Sequence, residues 1–132
     1  MKRKKKSRVR RRAYRHIDKE SLYAGLLRLM TERRLYLDRA CCREMLAREM
    51  MTNRTYISRV LNLHGQTCQQ FINAFRAQHA IGLLARADLA GTPLGDIAVM
   101  SGFSGLDAMN RYVKKSAGRT ACALRKRLTE KG

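Results

Sequence analysis

"DIAVMSGFSGLDAMNRYVKK", residues 96–115, reads as two short helices separated by a break at Gly102-Phe103-Ser104. Leu94, Ile97 and Ala98 form an inward stripe on the first helix. Gly102 supplies the positive φ that ends it sharply. Phe103 is expected to plug the corner and Ser104 to cap the second helix, since Ser104-Gly105-Leu106-Asp107 fits the S-x-x-[DE] capping signature. In the second helix Ala108, Met109, Tyr112 and Val113 face the core at spacings of one, three and four. Leu106, Asp107, Asn110, Arg111 and Lys114 are left on the opposite side. A short polar and basic helix is thus turned outward on a rigid corner. That is the arrangement by which a helix-turn-helix presents one helix to a groove about 12 Å wide.

One such corner also occurs in ordinary helical bundles, but this chain carries two. Leu46-Ala47 and Ile97-Ala98 open equivalent short helices 51 residues apart. After the turn the offset is 52, pairing Ile57 with Met109, Arg59 with Arg111 and Leu61 with Val113. Further on, Gly65-Gln66-Thr67 matches Gly118-Arg119-Thr120 at an offset of 53, each Thr placed to cap a helix. Every one-residue change falls near a turn or helix end, where insertions are tolerated.

The rest of the chain also reads as helix, because apolar residues recur at three and four and no β-type alternation occurs. Asp18 can cap a first helix that buries Leu22, Leu26, Leu29 and Met30 and ends near Arg33-Arg34. A short helix follows from about Cys42 to Met50, with Met45, Leu46, Ala47 and Met50 as inner candidates. Met51-Thr52 is a turn, Asn53 can cap a helix to about His64, and Gly65 stops it. From Thr67 the pattern Phe71, Ile72, Phe75, Ala80, Leu83, Leu84 predicts one long helix of roughly 19 residues, about 28 Å. Gly82 within it points to a close packing contact. Thr92 as cap and Pro93 in the first turn open the next helix. The organisation expected is a basic arm over 1–16, a first helix-turn-helix subdomain over 17–66, a connecting helix over 67–90 and a second subdomain over 91–132.

Charge narrows the partner. The chain of 132 residues holds 29 Lys and Arg against 10 Asp and Glu, a net +19. That excess points to a polyanion: nucleic acid, an anionic membrane surface or an acidic protein. Residues 1–16, MKRKKKSRVRRRAYRH, carry ten of the basic residues and no acid, so the remainder is still basic. No run of eighteen apolar residues exists to span a membrane, and the first 16 residues lack the apolar stretch of a signal peptide. A cytoplasmic location follows as the expectation. Cys41, Cys42, Cys68 and Cys122 show no CxxC and no His spacing suited to zinc. They read as reduced thiols in or near a core, with a redox-sensing Cys41-Cys42 pair as the alternative.

With these residues in view, "DIAVMSGFSGLDAMNRYVKKSAGRT" resembles the signature of AraC/XylS-type transcription regulators. "LAREMMTNRTYISRVLNLHGQT" is similar to that family's first helix-turn-helix, and "FRAQHAIGLLA" to its connecting helix. The likeness runs over roughly residues 35–128. It implies an all-α fold of about seven helices, with two homeodomain-like helix-turn-helix subdomains joined by a long helix. Departures from the family wording are Met109 and Val113 in place of Phe, Ala121 in place of Pro, an early Gly65, and Cys68 in place of a large apolar residue. The sensing or dimerisation domain that usually accompanies the module is missing from these residues. Some members of the family are the cytoplasmic ends of membrane-anchored sensors, which implies a reading as the output domain of a larger receptor.

The resemblance also implies how DNA is met: recognition helices over about 53–64 and 104–116 enter successive major grooves of a double-stranded duplex about 34 Å apart. RNA polymerase is a further partner it implies. Base-reading candidates in the first helix are Arg54, Thr55, Ser58 and Arg59, and in the second Leu106, Asp107, Asn110 and Arg111. Arg54 suits bidentate pairing with guanine, Asn110 with adenine, Asp107 acceptance from cytosine, and Leu106 contact with a thymine methyl. Phosphate candidates are Tyr56, Asn62, Thr67, Ser104, Lys114, Lys115, Arg119 and Thr120, the threonines by leaving helix N-termini open to phosphate oxygens.

Plainer roles stand beside these. Asp107 is equally a helix cap, Arg59 and Arg111 phosphate contacts or salt-bridge partners, and Tyr56 a packing residue. Lys114, Lys115 and Arg119 also fit a solvated basic face. His16, His64 and His79 have no partners that suggest catalysis. The second functional reading is a non-specific nucleic-acid or anionic-membrane binder driven by the arm. An alkyl-transfer enzyme using a cysteine is a third, and it lacks a paired His and acid, a phosphate-cradling glycine loop or a metal cluster. No cofactor and no small-molecule substrate are expected.

Overall fold

Asp18 does cap the first helix. In the computed structural model, which describes residues 18–131, its carboxylate accepts the backbone N–H groups of Glu20 at 2.7 Å and Ser21 at 3.2 Å. The helix it starts, α1, runs Lys19–Arg28 and continues as one wide π-type turn over Leu29–Arg33. Arg34, in the left-handed region at φ 52°, stops it. Leu22, Leu26 and Met30 are buried, whereas Leu29 is only half-buried. The basic arm expected over 1–16 lies outside the described residues.

Six further helices follow: α2 Arg43–Glu49, α3 Arg54–Leu63, α4 Cys68–Leu84, α5 Leu94–Met100, α6 Leu106–Ala117 and α7 Ala121–Lys131. Single 3-10 turns lie at Leu35–Leu37 and Ala87–Leu89. The described residues contain no strand, so the fold is all-α as the apolar spacing required. The residues divide into two compact units. One takes the chain up to Arg34 together with Cys42–Gln69, and the other takes Leu35–Cys41 and the chain from Gln70 onward.

In the first unit α3 packs against α1 and α2. It contributes Ile57, Val60 and Leu61, all fully buried, and α2 contributes Leu46 and Ala47. Met45 and Met50 are half-buried. The Met50 methyl, just after α2, packs against Gly25 of α1 where a Cβ would stand. The turn between α2 and α3 sets Met51 at φ 54° and returns the Thr52 N–H to the Ala47 carbonyl at 2.8 Å. Asn53 then caps α3, its side-chain oxygen accepting the Tyr56 N–H at 2.8 Å. Gly65 at φ 73° ends it.

In the second unit the core gathers Ala77, Ala80, Leu83 and Leu84 of α4, Ile97 and Ala98 of α5, Phe103, Met109 and Val113 of the corner and α6, and Ala121 and Leu124 of α7. Ala108 and Tyr112 pack partly buried against it, so α6 buries the stripe its sequence predicts. Gly102 adopts φ 92°, and the Phe103 N–H returns to the Ala98 carbonyl at 3.0 Å. An added Cβ at Gly102 would collide with the Tyr36 carbonyl oxygen and come within 2.9 Å of Arg76 Nε. The corner therefore needs glycine twice, for its dihedral and for its space.

Arg76 explains that crowding. It is buried on α4, and its guanidinium donates to the Tyr36 carbonyl at 2.7 Å, the Asp38 carbonyl at 2.9 Å and Asn73 Oδ1 at 3.2 Å. One planar fork thus fastens the segment Leu35–Cys41 to α4 beside the corner. Burial pushes its pKa down, against the raising influence of Cys41 and Asp38.

The structure corrects several local readings. Ser104 does not cap α6: Gly105, with extended backbone, holds that position and no side chain caps it. Thr92 does not cap α5 either, since Pro93 takes the position and its carbonyl receives the Asp96 and Ile97 N–H groups. Nothing approaches Gly82, so no close packing explains it. Phe75 is half-buried in a ring cluster with Phe71 and Tyr36. Cys41 is buried and Cys42 and Cys68 are half-buried, but Cys122 is exposed, and among the described residues no disulfide joins any of the four.

Candidate nucleic-acid interface

The repeat seen in the sequence is present in the backbone. α2 and α5 each span seven residues and begin 51 apart, α3 and α6 begin 52 apart, and α4 and α7 begin 53 apart. The two corners differ in the residue that fills them. Thr52 stands where Phe103 fills the second corner, and its hydroxyl is buried with no hydrogen-bond partner among the described residues.

On α3 the side facing away from Ile57, Val60 and Leu61 carries Arg54, Thr55, Arg59 and Asn62, all exposed. Arg54 stands in the first turn, 3.5 Å from Glu44 of α2. The Glu44 carboxyl is held below its ordinary pKa chiefly by its own backbone N–H and the Cys42 thiol, with Arg54 adding less. It therefore stays ionised and gives Arg54 an anchor on the supporting helix while leaving the guanidinium largely in solvent. Ser58 is half-buried and accepts from Arg43 Nη1 at 2.8 Å. Tyr56 is half-buried, as its packing alternative requires. At the end of α3, His64 stacks on Tyr23 with ring centroids 3.6 Å apart.

On α6 the outward side carries Leu106, Asp107, Arg111, Lys114 and Lys115, all exposed. The lysines sit in the last turn, where cations favour the helix dipole. Asn110 is different. It is half-buried, and its Oδ1 accepts the Ala121 N–H at 2.9 Å, capping α7. Bidentate recognition of adenine needs that oxygen and the amide nitrogen together, so this contact competes with the expected reading.

Ser104, Thr67, Arg119 and Thr120 are exposed around the corner and the later helix starts. Thr120 accepts weakly from the Ala123 N–H at 3.4 Å and so acts as the cap of α7. His79 meets the edge of the Tyr36 ring. Among the described residues no three His, Cys, Asp or Glu gather as a metal site, and no helix is long and apolar enough to cross a membrane.

Three residues that matter were not visible in the sequence: Arg43, which reaches from α2 to Ser58; Arg76, the buried fork; and Arg125, whose guanidinium meets the Thr92 carbonyl at 2.5 Å and fixes the turn before α5. Only Arg76 left a signal. It sits in the buried row Ile72, Arg76, Ala80, where a charge among apolar neighbours requires a partner.

The sequence profile of a family described as "Helix-turn-helix domain" matches residues 46–127. The match spans both corners and the helix between them. No curated protein and no solved structure gives a significant match.

Proposed function

The chain belongs to the AraC-type family of helix-turn-helix domains, and from that premise we propose that it is a sequence-specific regulator of transcription reading double-stranded DNA. The family is one of DNA-binding regulator domains and not of enzymes. The finer proposal is that α3 and α6 enter successive major grooves. Arg54, Thr55, Ser58 and Arg59 read bases on one side, and Leu106, Asp107 and Arg111 do so on the other. Lys114, Lys115, Arg119, Asn62, Tyr56, Ser104 and the helix start after Thr67 meet phosphates, whereas the start of α7 after Thr120 is already capped by Asn110 and Thr120.

The observation that carries the proposal is the duplicated corner, which twice ends a short buried helix at a left-handed residue and starts a helix with an exposed cationic face. RNA polymerase as a second partner, a cytoplasmic location and a role as the output domain of a larger or membrane-anchored sensor belong to the same proposal.

The competing reading gives all binding to the basic arm. Deleting residues 1–16 separates the two: retained preference for a selected duplex supports groove reading, and loss of all binding supports the arm. With about 6–10 phosphates neutralised, affinity should fall roughly 10³- to 10⁵-fold between 50 and 200 mM salt. A flat response contradicts the proposal.

A further inference from the structure

The hydroxyl of Ser58 is held differently from three other hydroxyls of the chain. Thr31, Ser101 and Thr129 all give their hydroxyl proton back to a carbonyl of the preceding helical turn, at 3.0, 2.9 and 2.8 Å. Ser58 does not. Its oxygen accepts Arg43 Nη1 at 2.8 Å from the neighbouring helix, and among the described residues its proton goes to nothing. A guanidinium N–H directed at the oxygen occupies one lone pair and turns the hydroxyl hydrogen away from the cation. Ser58 also lies off the buried Ile57, Val60, Leu61 stripe, half-buried next to the exposed Arg54, Thr55, Arg59 and Asn62.

We propose that Arg43 is a positioning residue for base reading: by holding the Ser58 oxygen from α2 it makes the Ser58 hydroxyl a fixed hydrogen-bond donor, which selects a base presenting an acceptor in the major groove. Such acceptors are guanine N7 and O6, adenine N7 and thymine O4, while cytosine presents a donor. A free serine hydroxyl rotates and serves either kind of group, and so discriminates little. The arrangement belongs to the first corner alone. At the repeat offsets the positions of Arg43 and Ser58 become Leu94 and Asn110, and Asn110 is turned instead to the cap of α7.

The inference rests on the proposal that α3 reads DNA, and its test separates the two. A site is selected from random duplexes, and affinities for its single-base variants are measured at fixed salt for the parent chain and for Ser58→Ala, Arg43→Met, Arg43→Gln and the double variant Arg43→Met with Ser58→Ala. Ser58→Ala and Arg43→Met should each lose about 3- to 10-fold of the preference at the same base pair, the usual worth of one hydrogen bond. The double variant should lose no more than either single one. Arg43→Gln, whose shorter side chain ends before the position from which Arg43 Nη1 donates, should lose the same preference as Arg43→Met. Thermal unfolding of each variant confirms that it is folded, and Arg43→Gln keeps the test decisive where Arg43→Met is not. Equal weakening of every duplex by Arg43→Met or Arg43→Gln with preference intact, additive losses in the double variant, or effects at different base pairs overturn the positioning role. No preference in the parent overturns the groove reading itself.

Discussion

Met51 and Gly102 occupy the same place in the two corners, 51 residues apart, and both have left-handed backbone, at φ 54° and 92°. At the second corner glycine is required by space as well as by dihedral. At the first, a methionine with 77% of its surface exposed accepts the same conformation without burial in return.

Met51→Gly should therefore stabilise the protein. A non-glycine residue in the left-handed region costs roughly 1–2 kcal/mol, and the added chain entropy of glycine offsets about half. The net gain expected is about 0.5–1 kcal/mol in urea unfolding. Gly102→Ala should cost about 2 kcal/mol or more, since strain and the clash with the Tyr36 carbonyl add. A Met51→Gly variant less stable than the parent, or a Gly102→Ala variant as stable as the parent, would contradict this.

Arg76→Leu should destabilise the second unit by about 1–3 kcal/mol, because the Tyr36 and Asp38 carbonyls lose their donor. Arg76→Lys should recover only a minor part, since a single ammonium cannot span both oxygens as the planar fork does. Urea midpoints of the three chains check this. A lysine variant as stable as the parent would mean that charge alone, not the fork, holds the segment.

Asp18 predicts a pH dependence. The Ser21 and Glu20 backbone N–H groups hold its carboxyl below the ordinary value of 3.8. A group with a depressed folded pKa contributes stability above its unfolded pKa and loses it as pH falls through the folded one. The excess of parent over Asp18→Ala in melting temperature should thus be constant near neutral pH and shrink below about pH 3.8. A gap that persists unchanged into strong acid contradicts the cap.

Arg54→Ala should relax preference at one base pair by about 1–3 kcal/mol, whereas Lys114→Ala should weaken all sequences alike and reduce the salt slope by about one. Affinities for single-base variants of a selected site distinguish them. Identical patterns for the two variants would move Arg54 to the phosphate set.

Much of this fold was legible in the sequence because it is written locally. Asp18, Asn53, Gly65 and Gly102 all do what their types and spacing predicted. The failures share a cause. Ser104 and Thr92 look like caps, yet the corner geometry fixed by Gly102 and Phe103 starts α6 after Gly105, and Pro93 takes the place of Thr92. Tertiary packing overrides a capping signature of modest worth. The exposed residues on the outward sides of α3 and α6 were legible as a set. The contacts across helices, Arg43 with Ser58 and Asn110 with Ala121, were not, because their partners lie 15 and 11 residues away with no periodic mark.

The central claim is that two outward helices read the sequence of a duplex, and competition binding tests it most directly. A site selected from random duplexes should bind at least about 10³-fold more tightly than unselected duplex of the same length at physiological salt. Equal affinity for both at that salt would contradict the account.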